Sequence, residues 1–261
     1  ERYLNYFRER NVDLRGLQTV PGSTFRWGGR YGLDMNARDT LFTELGVFAD
    51  FNPEVPEAYR QAEVVFAANI LPQLQQNVLR QTERGAPARL RALDTMNLWI
   101  ETTRDSLLEA MRQVDVVLIA EEEVRQLAET TSLRAGARFI LELGPRLLVV
   151  KQGSYGALLF DANGRFFAAP AYPLEDVRDP TGAGDAFAGG FLGHLARRLV
   201  STGAVGWGDY TRALIYGNIM GSFACEQFGV EAIRALSADQ IAARYREFVS
   251  FTHFDGDWRA E

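Results

Sequence analysis

Between about residue 63 and residue 151 the chain alternates short, almost continuously apolar runs with longer amphipathic ones. AEVVFAANI precedes LPQLQQNVLRQTERG, RLRALDTMN precedes IETTRDSLLEAMRQV, DVVLIA precedes EEEVRQLAE and RAGARFILEL, and RLLVVK closes the series. A strand that is apolar at every position is buried on both faces, the condition of a parallel strand covered by its crossover helices. The rhythm predicts repeated βαβ units and an α/β fold, a doubly wound, mostly parallel sheet flanked by helices.

Two stretches break the rhythm. TFRWGGRYG followed by RDTLFTELGVFADF reads as two β-rich runs around a turn, an antiparallel lid within about residues 17–50. GALLFDANGRFFAAP reads as a hairpin turning at Asn163-Gly164,. Helical patterns follow near 183–200, 208–228 and 237–250. No repeat or Pro/Gly/Ser-rich linker divides the chain, so residues 1–261 are expected to form one domain carrying the lid.

The charge balance is acidic, 28 Lys+Arg against 34 Asp+Glu, and lacks the clustered basic surface that nucleic acid or anionic membrane would need. A single cysteine, Cys225, excludes an intrachain disulfide framework and a multi-thiolate metal site, and points to a reducing compartment,. No apolar run reaches the roughly 20 residues that cross a bilayer. A cytoplasmic protein is expected, with the charged, amphipathic opening ERYLNYFRER leaving an organellar lumen open,.

The densest chemical signal is RDPTGAGDAFAGGFLGHLARR, residues 178–198. Asp179, preceding Pro180, should be extended, while Phe187, Phe191 and Leu195 recur at helical spacing. Gly182-Ala183-Gly184 therefore falls at a helix N-terminus. Small residues there let unpaired amides converge, and the dipole favours an anion. A carboxylate beside such a cradle repels phosphate unless it takes part in the chemistry. Phosphoryl transfer to an alcohol uses both: amides hold charge on the moving group, and Asp185 accepts the hydroxyl proton. A helix cap with two glycines for close packing is the structural alternative, and it accounts less well for the cluster of small residues.

DPTGAGDAFAGGF resembles the C-terminal signature of the ribokinase-like, or PfkB, family of carbohydrate and nucleoside kinases. The resemblance covers most of the chain and implies an α/β sandwich with a β lid, ATP as donor and Mg²⁺. It implies an anion hole at Gly182, Ala183 and Gly184 with Asp185 as base. Lys151-Gln152-Gly153-Ser154-Tyr155-Gly156 is similar to the segment bordering the nucleotide, so Lys151, Gly153 and Gly156 are carried over, and Asn218 falls where an adenine contact is expected. Asp94 and Asn97, in a segment similar to the family's D-x-x-N, join Thr181 as candidates for the cleft or substrate, at the strand ends where open α/β sheets bind ligands. Asp179 is the candidate for a monovalent-cation site, K⁺ being implied for some members.

Two departures stand out. The family's N-x-x-E segment, which organises Mg²⁺ through water, here reads Ala120-Glu121-Glu122-Glu123, with only Glu123 matching. The opening strand and Gly-Gly-x-x-x-Asn segment are missing as well, Gly28-Gly29 lying in the predicted lid. A truncated chain, a partner chain completing the sheet, or a loss of catalysis would each account for this. The sequence is therefore expected to encode an ATP-dependent kinase acting on a hydroxyl of a sugar or sugar-like substrate, with a nucleoside as the alternative acceptor. A kinase-like structural subunit of a larger assembly is the rival. Arg26 and Trp27, with Phe25 and Tyr31, are the lid residues expected to meet the acceptor. A homodimer through the lid is expected on the same resemblance.

Overall fold

The computed structural model describes residues 2–33, 35, 36, 38–82 and 90–253. A helix α1 (Arg2–Glu9) opens the chain, and β1 (Arg26–Tyr31) and β2 (Arg38–Glu44) form a separate antiparallel sheet. Its register shifts between Gly28 and Gly29. The rings of Phe42 and Trp27 lie where side chains at those two glycines would be. The expected lid is thus a two-stranded, bulged ribbon.

The second sheet has six strands in chain order: β3 (Val64–Ala67), β4 (Leu90–Asp94), β5 (Val116–Ala120), β6 (Leu147–Lys151), β7 (Ala157–Asp161) and β8 (Phe166–Ala169). The first four run parallel, and β7 and β8 return antiparallel as the predicted hairpin, with Gly164 at φ 82° in its turn. Between the parallel strands lie α2 (Pro72–Gln81), α3 (Asn97–Thr102), α4 (Arg104–Met111), α5 (Glu121–Leu127) and α6 (Leu133–Glu142). The amphipathic run after β4 is two helices rather than one, because Thr103, at φ −142° and ψ 38°, leaves helical geometry,.

Successive residues of a strand point to opposite faces, and both faces are filled. Val116 and Leu118 of β5, with Leu147 and Val149 of β6, pack against α7 (Ala183–Thr202), α8 (Trp207–Cys225) and α10 (Ala238–Thr252). Val117, Ile119, Leu148 and Val150 pack against the crossover helices α2 to α6. The helices between parallel strands thus share one face, and the C-terminal helices supply the other. A short α9 (Glu231–Ala235), unforeseen in the sequence, joins α8 to α10. Among the described residues no helix is long and apolar enough to cross a membrane.

The closest helix pair is α7 with α8. A side chain on Gly190 would stand 2.5 Å from the Tyr216 carbonyl oxygen, and one on Gly217 would stand 2.9 Å from the Phe187 ring. Gly190 is therefore a packing residue, which accounts for part of the glycine cluster without any ligand.

Candidate active site

The helix α7 begins at Gly182, whose φ of 81° is left-handed and costs glycine little,. Asp179 shapes the approach. It is 7% exposed, and its carboxylate accepts the Thr181 amide at 3.0 Å and the Gly229 amide at 2.9 Å. Burial opposes its ionisation, but the bonds from Gly229 and Thr181 outweigh this and hold its carboxyl below the usual range,. Asp179 thus ties the loop before α7 to the loop after α8.

The Ala183 amide turns back to the Pro180 carbonyl at 3.1 Å, and the Ala186 amide makes the first helical bond, to Gly182, at 2.9 Å. The amides of Gly182, Gly184 and Asp185 have no partner among the described residues. Of the three residues expected to form an anion hole, Ala183 has its amide bonded within the turn. The Asp185 side chain is exposed in that first turn.

Opposite α7 stand the carboxyl ends of β4, β5 and β6. Asp94 ends β4, 3% exposed, with its Oδ1 lacking any hydrogen-bond partner, as does the neighbouring Thr95 hydroxyl. Burial pushes the Asp94 carboxyl up to about 6. The Lys151 charge pulls against that rise, those of Asp185 and Glu123 add to it, and the Asn69 amide lowers it. The charges of Lys151, Asp185 and Glu123 thus all lie near enough to act on Asp94. Gln75 of α2 fixes the floor of this strand-end region, donating to the carbonyls of Ala67 and Asp94, each at 2.9 Å. Asn97 is exposed at the start of α3 on the same rim.

Glu123 is 9% exposed and accepts the Ala120 amide at 2.9 Å, closing the first turn of α5. Ala120 offers no side-chain acceptor in return. Glu121 bonds both Arg125 and Gln152, joining α5 to the loop after β6. Among the described residues no group of three or more His, Cys, Asp or Glu side chains could hold a metal directly. Mg²⁺ commonly keeps waters and leans on substrate phosphates, and a single buried carboxylate such as Glu123 fits that indirect mode.

In the loop after β6, Gly153 has φ 57° and Gly156 φ 103°. A side chain on Gly156 would stand 2.1 Å from the Ala169 carbonyl oxygen. Asn218, 7% exposed on α8, donates to the Pro170 carbonyl of the same segment at 3.0 Å. That bond ties α8 to the segment following β8, against which Gly156 packs.

The lid reaches this region at two points. Tyr31 and Thr181 share a hydrogen bond of 3.0 Å. Asn36 donates to the Ser154 hydroxyl at 2.8 Å and accepts the Ser154 amide at 3.0 Å. Of the lid aromatics and arginine expected near an acceptor, Tyr31 has its hydroxyl on a site loop. Arg26 instead pairs with Glu44 at 3.1 Å, and Trp27 donates to the Thr40 hydroxyl at 3.4 Å, so both are engaged within the lid. Asn36 and Gln75 carried no sequence signal, since an isolated polar residue in a turn or an amphipathic helix reads as solvated.

A three-layer α/β/α body, a bulged β lid and an acid in the first turn of a glycine-started helix define the architecture of a sugar-kinase-like protein. Residues 1–235 match the pfkB family of carbohydrate kinases, and the chain belongs to that family. It is 30% identical over 187 residues to the cytidine kinase of Thermococcus kodakarensis, covering 71% of this chain and 66% of that protein. It is 33% identical over 132 residues to the aminoimidazole riboside kinase of Salmonella typhimurium, covering 51% and 38%. These matches span less than two thirds of either relative. Among solved structures, the nucleoside kinase of Methanocaldococcus jannaschii superposes with a TM-score of 0.71 at 20% identity, over 94% of this chain and 76% of that one. The fructokinase of Vibrio cholerae O395, solved with fructose, ADP and calcium ion, gives 0.67 at 22% identity, over 92% and 80%. At those identities the two structures attest the fold.

Proposed function

We propose that the chain belongs to an ATP-dependent kinase that transfers a γ-phosphoryl group to a hydroxyl of a sugar or sugar-like acceptor, a nucleoside being the alternative acceptor. The observation that carries this reading is the exposed Asp185 carboxylate in the same helical turn as the unpartnered Gly184 and Asp185 amides. The names of the curated relatives, a cytidine kinase, an aminoimidazole riboside kinase and fructokinases, support the reaction class.

In this reading Asp185 accepts the proton of the acceptor hydroxyl as its oxygen bonds to the γ-phosphorus. The bond from that phosphorus to the bridging oxygen breaks, its electron pair leaving with ADP. The amides of Gly182, Gly184 and Asp185 hold the charge on the phosphoryl oxygens. Mg²⁺, when bound, neutralises phosphate charge, and Glu123 would hold it through water. The loop of Gly153 and Gly156 borders the nucleotide, Asp94, Asn97 and Thr181 line the cleft, and Tyr31 closes the lid over the acceptor. The potassium ion in a double-mutant V. cholerae fructokinase keeps K⁺ within the proposal, with Asp179 shaping its loop. The lid exposes Phe25, Leu33, Leu41, Phe42 and Leu45, which suits contact with a second copy. A single cysteine suits a reducing compartment, the cytoplasm or an organellar lumen,.

A kinase-like structural subunit remains the second reading, favoured by Ala120. The test is ATP-dependent phosphorylation of a panel of sugars and nucleosides by the full-length gene product and its Asp185→Asn variant. Turnover should fall about 10²- to 10⁴-fold in the variant, the usual contribution of a positioned base. Folded protein that neither binds Mg-ATP nor phosphorylates any acceptor would establish the second reading instead.

A further inference from the structure

The sequence contains one lysine, Lys151, against 27 arginines. A chain that meets its other needs for side-chain cations with arginine uses lysine at one place only, and that place is the last residue of β6, in register with Ala120. Its Nζ lies 3.2 Å from the point a Cβ on Gly184 would occupy. The two residues differ physically: guanidinium is a broad planar fork, ammonium a compact point charge on a slender stem.

Lys151 is half-buried, its ammonium makes no hydrogen bond or ion pair with the described residues, and the Gly184 and Asp185 amides have no acceptor among them. A side-chain cation and the positive end of a helix thus face the same space,. Asp94, 3% exposed and electrostatically coupled to Lys151, leaves its Oδ1 unpartnered and forms no direct bridge to the ammonium.

We propose that Lys151 is the cation that grips the transferred phosphoryl group, its ammonium and the Gly184 and Asp185 amides bonding the same phosphoryl oxygens, and that residue 184 is glycine so that this ammonium can enter. This rests on the kinase reading and deepens it. Lys151 then acts on the γ-phosphoryl group itself, and ADP, which lacks that group, does not engage it.

The experiment compares titration of ADP and of a non-hydrolysable ATP analogue, each with Mg²⁺, into the full-length protein and its Lys151→Gln, Lys151→Arg and Gly184→Ala variants. Lys151→Gln should weaken the analogue about 10- to 100-fold, the range of one charge-assisted hydrogen bond, and leave ADP within about threefold. Lys151→Arg should not restore the loss, and Gly184→Ala should show a smaller loss in the same direction. Mass-spectrometric mapping of amine acetylation on wild type gives a readout independent of any substitution: the analogue should protect Lys151 and ADP should not. Equal losses for both nucleotides, no loss, or full recovery with arginine would overturn the role of Lys151 while leaving the kinase reading intact. Wild-type protein that binds neither nucleotide would sink both.

Discussion

The hydroxyl of Tyr31, at the end of β1, shares a 3.0 Å hydrogen bond with that of Thr181, 150 residues later, two positions before α7 begins. One exposed bond of this kind contributes about 0.5–1.5 kcal/mol, enough to bias a lid and too little to hold up the fold. Tyr31→Phe should therefore raise the acceptor KM by about three- to tenfold with kcat nearly unchanged and thermal unfolding unaltered. Steady-state kinetics and a melting curve decide it: a fall in kcat as large as the rise in KM would show that Tyr31 does more than close the lid.

Asp94 makes stability depend on pH in an unusual direction. Its carboxyl is raised from the ordinary 3.8 to about 6, so between those values the folded chain binds the proton that the unfolded chain has released. Stability should then fall as pH rises through about 4 to 6 and stay level above that. At about 1.36 kcal/mol per pH unit the full effect is about 3 kcal/mol. Asp94→Asn should remove this component and be the more stable protein near neutrality. Urea unfolding of both proteins across that range provides the check, and identical pH slopes would refute the assignment.

Gly156 and Gly182 both have positive φ but different surroundings. A Cβ on Gly156 meets the Ala169 carbonyl oxygen at 2.1 Å, whereas one on Gly182 meets nothing within 4 Å. Gly182→Ala should cost only the left-handed backbone, about 1–2 kcal/mol. Gly156→Ala adds a collision with backbone and should cost about 3 kcal/mol or more. Chemical denaturation of the pair tests the order, which would be reversed if the loop after β6 could open freely.

Ala120 caps α5 without a side-chain acceptor while Glu123 bonds its amide. Ala120→Asn supplies the missing acceptor and should stabilise the protein by about 0.5–2 kcal/mol. In the kinase reading it should also strengthen the Mg²⁺ dependence of turnover, by up to about 10- to 100-fold where a water-mediated metal contact is gained. A stability gain with unchanged Mg²⁺ dependence would confine position 120 to helix capping.

Much of the architecture was legible in the sequence because its causes are local. Apolar runs read as buried strands, Asn163-Gly164 as a hairpin turn, and Gly182-Ala183-Gly184 before a Phe187/Phe191/Leu195 periodicity as the start of a long helix; each depends on backbone preference and side-chain spacing over a few residues. The position of Asp185 in that first turn follows from the same arithmetic. Packing between layers decided what lay beyond reach. It set the Asn218 amide on Pro170, 48 residues away, and the Asp179 carboxylate on Gly229, 50 residues away, giving both a tethering role. It turned Arg26 and Trp27 onto their own ribbon and left Tyr31 as the side chain that meets Thr181. It also brought the one lysine against Gly184, a contact that no periodicity encodes, because the distance between a strand end and a helix start is fixed only when the sheet and the helix layer close on each other.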